Sequence, residues 1–319
     1  MQEAPSTLFD SYGIVSQVGG IFAAPDLAIG YAVYAMAGYH LSEGDRDTAL
    51  DLVFETQDLF GTQADDIDPV LLGLFADSFA IFAESVFSSP AYPLERIHGL
   101  LDAHERFVRD NGFTLQPVVT SRALLAARVG DLASLESLLA DSLELLPPEG
   151  ARVGLPELRA VLAVGRSDET AAKALLESLP ESVTHADDDI GRNVDIFRAP
   201  LLRREGRGAD AAAVAERVFE QVERDLEEVD YYTPLAYFVS AMDASDQFDA
   251  LLEPLEEAVR KGMSITWESL AAIAGVLLRR DPSGRHGKAL LAEATAHAEA
   301  LDRRNGNTAA SDQMRELWL

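Results

Sequence analysis

Arginine supplies the most suggestive chemistry in this 319-residue chain. Three adjacent pairs occur, at Arg203 and Arg204, Arg279 and Arg280, and Arg303 and Arg304. A guanidinium presents a planar fork of donors that matches a carboxylate in bidentate geometry. The bland role is local: positive charge at a helix C-terminus meets the negative end of the helix dipole. The sharper role is recognition. The first two pairs end the first helix of a helix pair, whereas the third ends a second helix. If Arg203, Arg204, Arg279 and Arg280 face one trough with Tyr231, Tyr232 and Tyr237, they form a clamp for an acidic peptide or a terminal carboxylate. These seven residues are the expected partner-binding set.

Other constellations fall short of what their chemistry requires. Glu95 and His98 stand at the Glu-x-x-His spacing of di-iron carboxylate bundles. Such a centre needs a second copy and further glutamates, so a solvated helix face is the better reading. His104 lacks the second histidine of a zincin helix. Residues 283–289 approach a phosphate loop, but Pro282 replaces its first glycine, Ala289 replaces the magnesium-binding hydroxyl, and no strand precedes it. The acidic clusters at residues 65–68 and 187–189 lack the glycine and distal glutamate of an EF-hand. With no cysteine, thiolate metal sites, disulfides and cysteine nucleophiles are excluded. No catalytic, cofactor or metal set is expected, and the chain is read as a non-enzyme.

Charge narrows the partners. Asp and Glu number 54 against 26 Lys and Arg, a formal net charge of −28. So acidic a surface repels phosphate backbones and anionic bilayers, so nucleic acid and membrane are not expected partners. Only Lys173, Lys261 and Lys288 are lysines. An acid-rich, lysine-poor balance suits a halophilic, high-salt solvent, in which carboxylates are screened. Residues 12–41 are almost uncharged, yet Pro25 and Asp26 divide them into pieces shorter than the ~20 residues a spanning helix needs. A cytoplasmic location is expected.

The elements that must position these residues are helices. Apolar spacings of three and four dominate, as in Leu132, Leu135, Leu138, Leu139, Leu143 and Leu146, while alternating strand patterns are scarce. Short turns recur near residues 44, 88, 130, 165, 206, 246 and 283, at intervals of roughly forty residues, the length of one helix pair. That period predicts an all-α, right-handed α-solenoid of about six or seven antiparallel helix pairs.

Ala37, Gly44, Asp45 and Ala49 in one unit, and Ala123, Gly130, Asp131 and Pro147 in another, stand at the offsets of the tetratricopeptide (TPR) helix pair. The chain resembles that family over most of its length. Small residues let paired helices cross closely, glycine stops the first helix, and aspartate caps the second. Arg166 and Arg207 stand where aspartate is expected, and Leu135 replaces an early small residue. The resemblance implies a scaffold or adaptor that holds a partner peptide or helix on its concave face. The alternative is a helical-repeat regulatory domain that binds a small effector.

One array is expected over residues 1–319, with a subdivision into 1–147 and 151–319 at the proline-rich residues 146–150. Residues 305–311 read as a loop before a short closing helix that ends at Trp318. Near the N-terminus Tyr31, Tyr34, Met36 and Tyr39 leave no polar face on their helix, which predicts an interface with a second copy or a partner.

Overall fold

A computed structural model describes residues 36–38, 40, 48–54, 76, 79, 83, 86–145, 156–166, 168–178, 198, 201–214, 239, 248–249, 252–253, 256 and 266–315. The regular elements among them are helical and none is a strand, in agreement with the all-α expectation. No described helix is long and apolar enough to cross a membrane. The chain divides into two compact units, Met1–Phe87 with Glu95–Ser121, and Ser88–Leu94 with Arg122–Leu319. The expected hinge at residues 146–150 lies outside the described residues.

Helix α1 (Leu94–Asp110) shows how the sequence makes its elements. Ile97, Leu100, Leu101, His104, Phe107 and Val108 fall on one face at helical spacing and are buried. Pro93 precedes it, where a missing N–H costs nothing. The helix stops at Gly112, whose φ of 70° is left-handed. Gly112 N donates to Arg109 O at 3.2 Å and Phe113 N to Val108 O at 2.9 Å, the two bonds of a Schellman motif. In this first unit Ala37, Ala49, Leu50 and Val53 are also fully buried. Met36 is 52 % exposed. Tyr31, Tyr34 and Tyr39 lie outside the described residues.

The second unit repeats one device. Helix α2 (Gln116–Val129) ends at Gly130, φ 77°, with Asp131 N donating to Ala126 O at 2.9 Å. Asp131 then caps α3 (Leu132–Leu145): its carboxylate accepts from Ser134 N at 3.0 Å and Ser134 Oγ at 2.6 Å. The Ser134 hydroxyl, with the backbone N–H groups, holds the Asp131 carboxyl below its usual range. Helix α4 (Pro156–Gly165) leads into α5 (Glu169–Ser178). Here Asp168 does the capping, taking Ala171 N at 2.9 Å. The aspartate missing at Arg166 is thus supplied two residues later. Residues 201–204 and 208–214 are helical around Gly206, φ 76°, which repeats the same pair of turn bonds.

Helices α6 (Thr266–Arg280) and α7 (Arg285–Asn305) make the most extensive contact between described helices. Trp267, Leu270, Ala271, Ala272, Ile273, Ala274 and Val276 are almost wholly buried, which encloses α6 along most of its length. Gly287 lets α7 approach, since a β-carbon there would stand 3.1 Å from Leu277 Cβ and Leu278 Cγ. Residues 283–289 are the tight entry to α7, with the Asp281 carboxylate accepting from Ser283 N and Oγ. The last element, α8 (Ala309–Gln313), begins within the stretch read from sequence as a loop. Asp302, on α7, caps it through Ala310 N at 2.9 Å and Ser311 Oγ at 2.5 Å.

Apolar clusters follow one another along this unit. Ala123, Ala126 and Ala127 of α2 pack with Leu135, Leu139, Leu158 and Val161. Ala163, Ala172, Leu175 and Leu201 form the next, and Leu176 touches both that cluster and the large one around α6 and α7.

Candidate functional site

Arginines in the second unit reach acids about thirty residues earlier in the chain. Arg166 grips Glu136 with Nη1 at 2.8 Å and Nη2 at 2.7 Å, a bidentate pair 30 residues apart. Arg204 Nη2 donates to Glu169 Oε1 at 2.9 Å, 35 residues back. Arg280 Nη1 donates to Asp249 Oδ1 at 3.0 Å, 31 residues back. In each case the arginine stands at or just past the end of a helix, and the acid lies about thirty residues earlier. Glu169 opens the first turn of α5 and Arg280 closes the last turn of α6, so each also favours its own helix dipole. The Arg166 guanidinium holds the Glu136 carboxyl below its usual range, chiefly through its hydrogen bond, and that bond raises Arg166 in turn. Arg280 also lies over the Phe248 ring, 4.8 Å from its centroid.

Two of the four expected clamp arginines, Arg204 and Arg280, therefore hold carboxylates of the chain itself. Arg203 is half-buried and Arg279 exposed, and both make contacts of their own. Tyr231, Tyr232 and Tyr237 lie outside the described residues.

The described histidines have separate surroundings. His104 is fully buried, its ring 4.6 Å from that of Phe79, with Nε2 donating to Ala76 O at 2.7 Å. A carbonyl only accepts, which fixes the proton on Nε2. His286 meets Glu256 at 2.5 Å on the surface. Glu95 and His98 are both exposed on α1, on the solvated face. Among the described residues no three histidine, aspartate or glutamate groups converge.

A second set of contacts in this unit spans far greater separations. Arg128, at the end of α2, donates to Glu268 in the first turn of α6 at 2.5 Å; the side chains are 12 % and 1 % exposed. Asn307 Nδ2 donates to Val129 O at 2.6 Å and Gln313 Nε2 to Ala127 O at 2.9 Å, so the C-terminal segment supplies donors to the end of α2. His297 Nε2 donates to Ser88 O at 2.9 Å and Arg304 Nη1 to Ser89 O at 2.8 Å, the latter across 215 residues.

The last two bonds frame an open cleft of about 490 Å³. One wall is Pro90, Ala91, Pro93 and Leu94; the other is Ala300, Arg303 and Arg304. Arg303 is exposed. Arg304 is half-buried, and burial pushes its guanidinium down to about 10. Arg304 Nε donates to Asn305 Oδ1 at 2.9 Å, while its Nη2 and Asn305 Nδ2 are hidden from water with no acceptor among the described residues.

Of the three arginine pairs, the one left out of the expected clamp is the one that lines a cleft. The wall that completes it comes from more than two hundred residues away, which no helical period reveals. One local signal existed. Residues 269–274, 30 to 35 residues before Arg304, contain no acid.

No protein-family model matches the chain. No curated protein matches it in sequence either.

Proposed function

We propose that this chain is a non-catalytic, TPR-like helical-repeat scaffold that holds a peptide or helix of another protein on its concave face. The observation that carries the reading is the recurring pair of an arginine and an acid about one helix pair apart, at Arg166 with Glu136, Arg204 with Glu169 and Arg280 with Asp249. Repeat proteins are stabilised by such nearest-neighbour interfaces, and their stacked first helices present a continuous binding surface. The Schellman turns at Gly130 and Gly206, and the caps at Asp131 and Asp168, support the same unit. A surface of net charge −28 favours partners that are apolar or basic, with arginines as local exceptions.

Affinity capture of the tagged chain at the salt of its own lysate tests this. One stoichiometric protein partner is expected, with affinity at least about tenfold weaker for the double variant Arg203→Glu/Arg279→Glu. Unchanged affinity would remove the clamp. Beads that yield no protein, with a small molecule released on denaturation, would replace the scaffold by an effector-binding regulatory domain.

A further inference from the structure

We propose that the cleft between residues 90–94 and the end of α7 is a binding site for a small aliphatic carboxylate, held by Arg303 with Arg304 beside it. Three observations carry this. First, the cations lack counter-charges: among the described residues neither Arg303 nor Arg304 meets a carboxylate, although acids outnumber bases two to one. Arg166, Arg204 and Arg280 show that this chain elsewhere matches its arginines to its own acids. Second, Arg304 Nη2, on a side chain of the cleft wall, lacks an acceptor among the described residues. A buried donor without an acceptor is costly, and an anion held on Arg303 beside it offsets that cost by charge. Third, the walls are preformed: Ser88 and Ser89 are bonded to α7, and Pro90 and Pro93 restrict the loop.

The chemistry of the walls selects the ligand. Pro90, Pro93, Leu94 and Ala300 offer hydrocarbon and no donor, so inorganic phosphate would fill only one end of the cleft. An aliphatic acid satisfies both ends. The lining covers one short loop and about one turn of α7, which is the reach of a single small molecule. Its volume of about 490 Å³ lies within the range typical of such sites. This site stands apart from the residues of the proposed peptide clamp, and either can fail without the other.

The test titrates hexanoate into the full-length protein while following the Nε–Hε NMR resonances of Arg303 and Arg304. Saturable shifts of both are expected. Hexanamide, which keeps the hydrocarbon and loses the charge, and acetate, which does the reverse, should each bind about tenfold more weakly or worse. Arg303 makes no hydrogen bond among the described residues, so Arg303→Ala should abolish the shifts at Arg304 while leaving the circular dichroism and Tm unchanged; Arg303→Lys should retain part of the affinity. The proposal is overturned if no ligand saturates, if hexanamide matches hexanoate, or if Arg303→Ala still binds. Equal binding of acetate or phosphate would reduce it to a bare anion site. An acetylated dipeptide acid that binds ten times tighter than hexanoate would reassign it to a partner's chain terminus.

Discussion

Two kinds of joint hold the second unit, and they are made from the same residue types under opposite conditions. At the successive turns, Arg166, Arg204 and Arg280 reach acids 30 to 35 residues away, and those acids are 59–79 % exposed. At the seam near the end of α2, Arg128 reaches Glu268 across 140 residues, and that acid is 1 % exposed. The first kind adds little per pair, because water solvates either partner when it is free. In the second, two charges have left water, and each offsets part of the other's desolvation. The buried joint is therefore expected to matter far more to the docking of the C-terminal helices than any exposed one.

The largest effect expected is at the seam. Arg128→Met removes the cation facing the buried Glu268 carboxylate and should cost about 3–5 kcal/mol, read as a fall in the urea midpoint. The double variant Arg128→Met/Glu268→Leu should recover most of that loss. If the single variant melts like the parent, the seam is not a structural joint and the comparison collapses.

Next comes Gly130. Its φ of 77° is costly for any residue with a side chain, and a β-carbon there would overlap Cβ of Ala309 on α8. Gly130→Ala should lose about 2–5 kcal/mol from backbone strain and overpacking together. Gly206 has the same backbone, with nothing within 4 Å of its added β-carbon. Gly206→Ala should therefore cost only the backbone share, about 1–2 kcal/mol. Equal losses at the two glycines would mean that α8 does not press on Gly130.

This contrast also marks what the sequence discloses. The face of α1, the stops at Gly112, Gly130 and Gly206 and the cap at Asp131 follow from spacing of three and four and from the chemistry of helix ends. Each is set by residues within a turn or two of one another. The contact of Gly130 with Ala309, the bonds of Gln313 to Ala127 and of Arg304 to Ser89, and the pair Arg128 with Glu268 join residues 140 or more apart. Nothing in a local period carries them. The candidate cleft suffers most from this, because Arg303 and Arg304 look in sequence like Arg279 and Arg280. Only the neighbours differ: Asp249 and the Phe248 ring beside Arg280, prolines beside Arg303 and Arg304.

A smaller effect is expected in acid. The Asp131 carboxyl is held below its usual range in the fold, chiefly by Ser134, so its ionised form is favoured there. The sign follows directly: this contribution is fully present above the unfolded value near 4 and is lost as pH falls through the lower folded value. Asp131→Asn keeps the cap but removes the charge, so it should flatten the decline of Tm below about pH 4 and change little at pH 7. A variant whose acid limb matches the parent's would assign that decline to other carboxylates.

The smallest effect, and the one that separates the two joints most cleanly, is their response to salt. Raising potassium chloride to about 1 M shortens the Debye length to about 3 Å, which weakens exposed pairs and relieves repulsion among the excess acids. With a net charge of −28, relief should win, and the parent's Tm should rise. On that rising baseline, Arg166→Ala and Arg280→Ala should show small deficits at low salt that shrink towards zero, since Arg166 and its partner Glu136 are open to solvent. The deficit of Arg128→Met should persist, because ions do not reach an acid that is 1 % exposed. If the Arg128→Met deficit faded with salt as the others do, its partner would have to be hydrated, and the seam would be one more surface joint. If the Arg280→Ala deficit held instead, the Phe248 ring beneath the guanidinium would be the stronger of its two contacts, since stacking on a buried ring is less screened than an exposed ion pair.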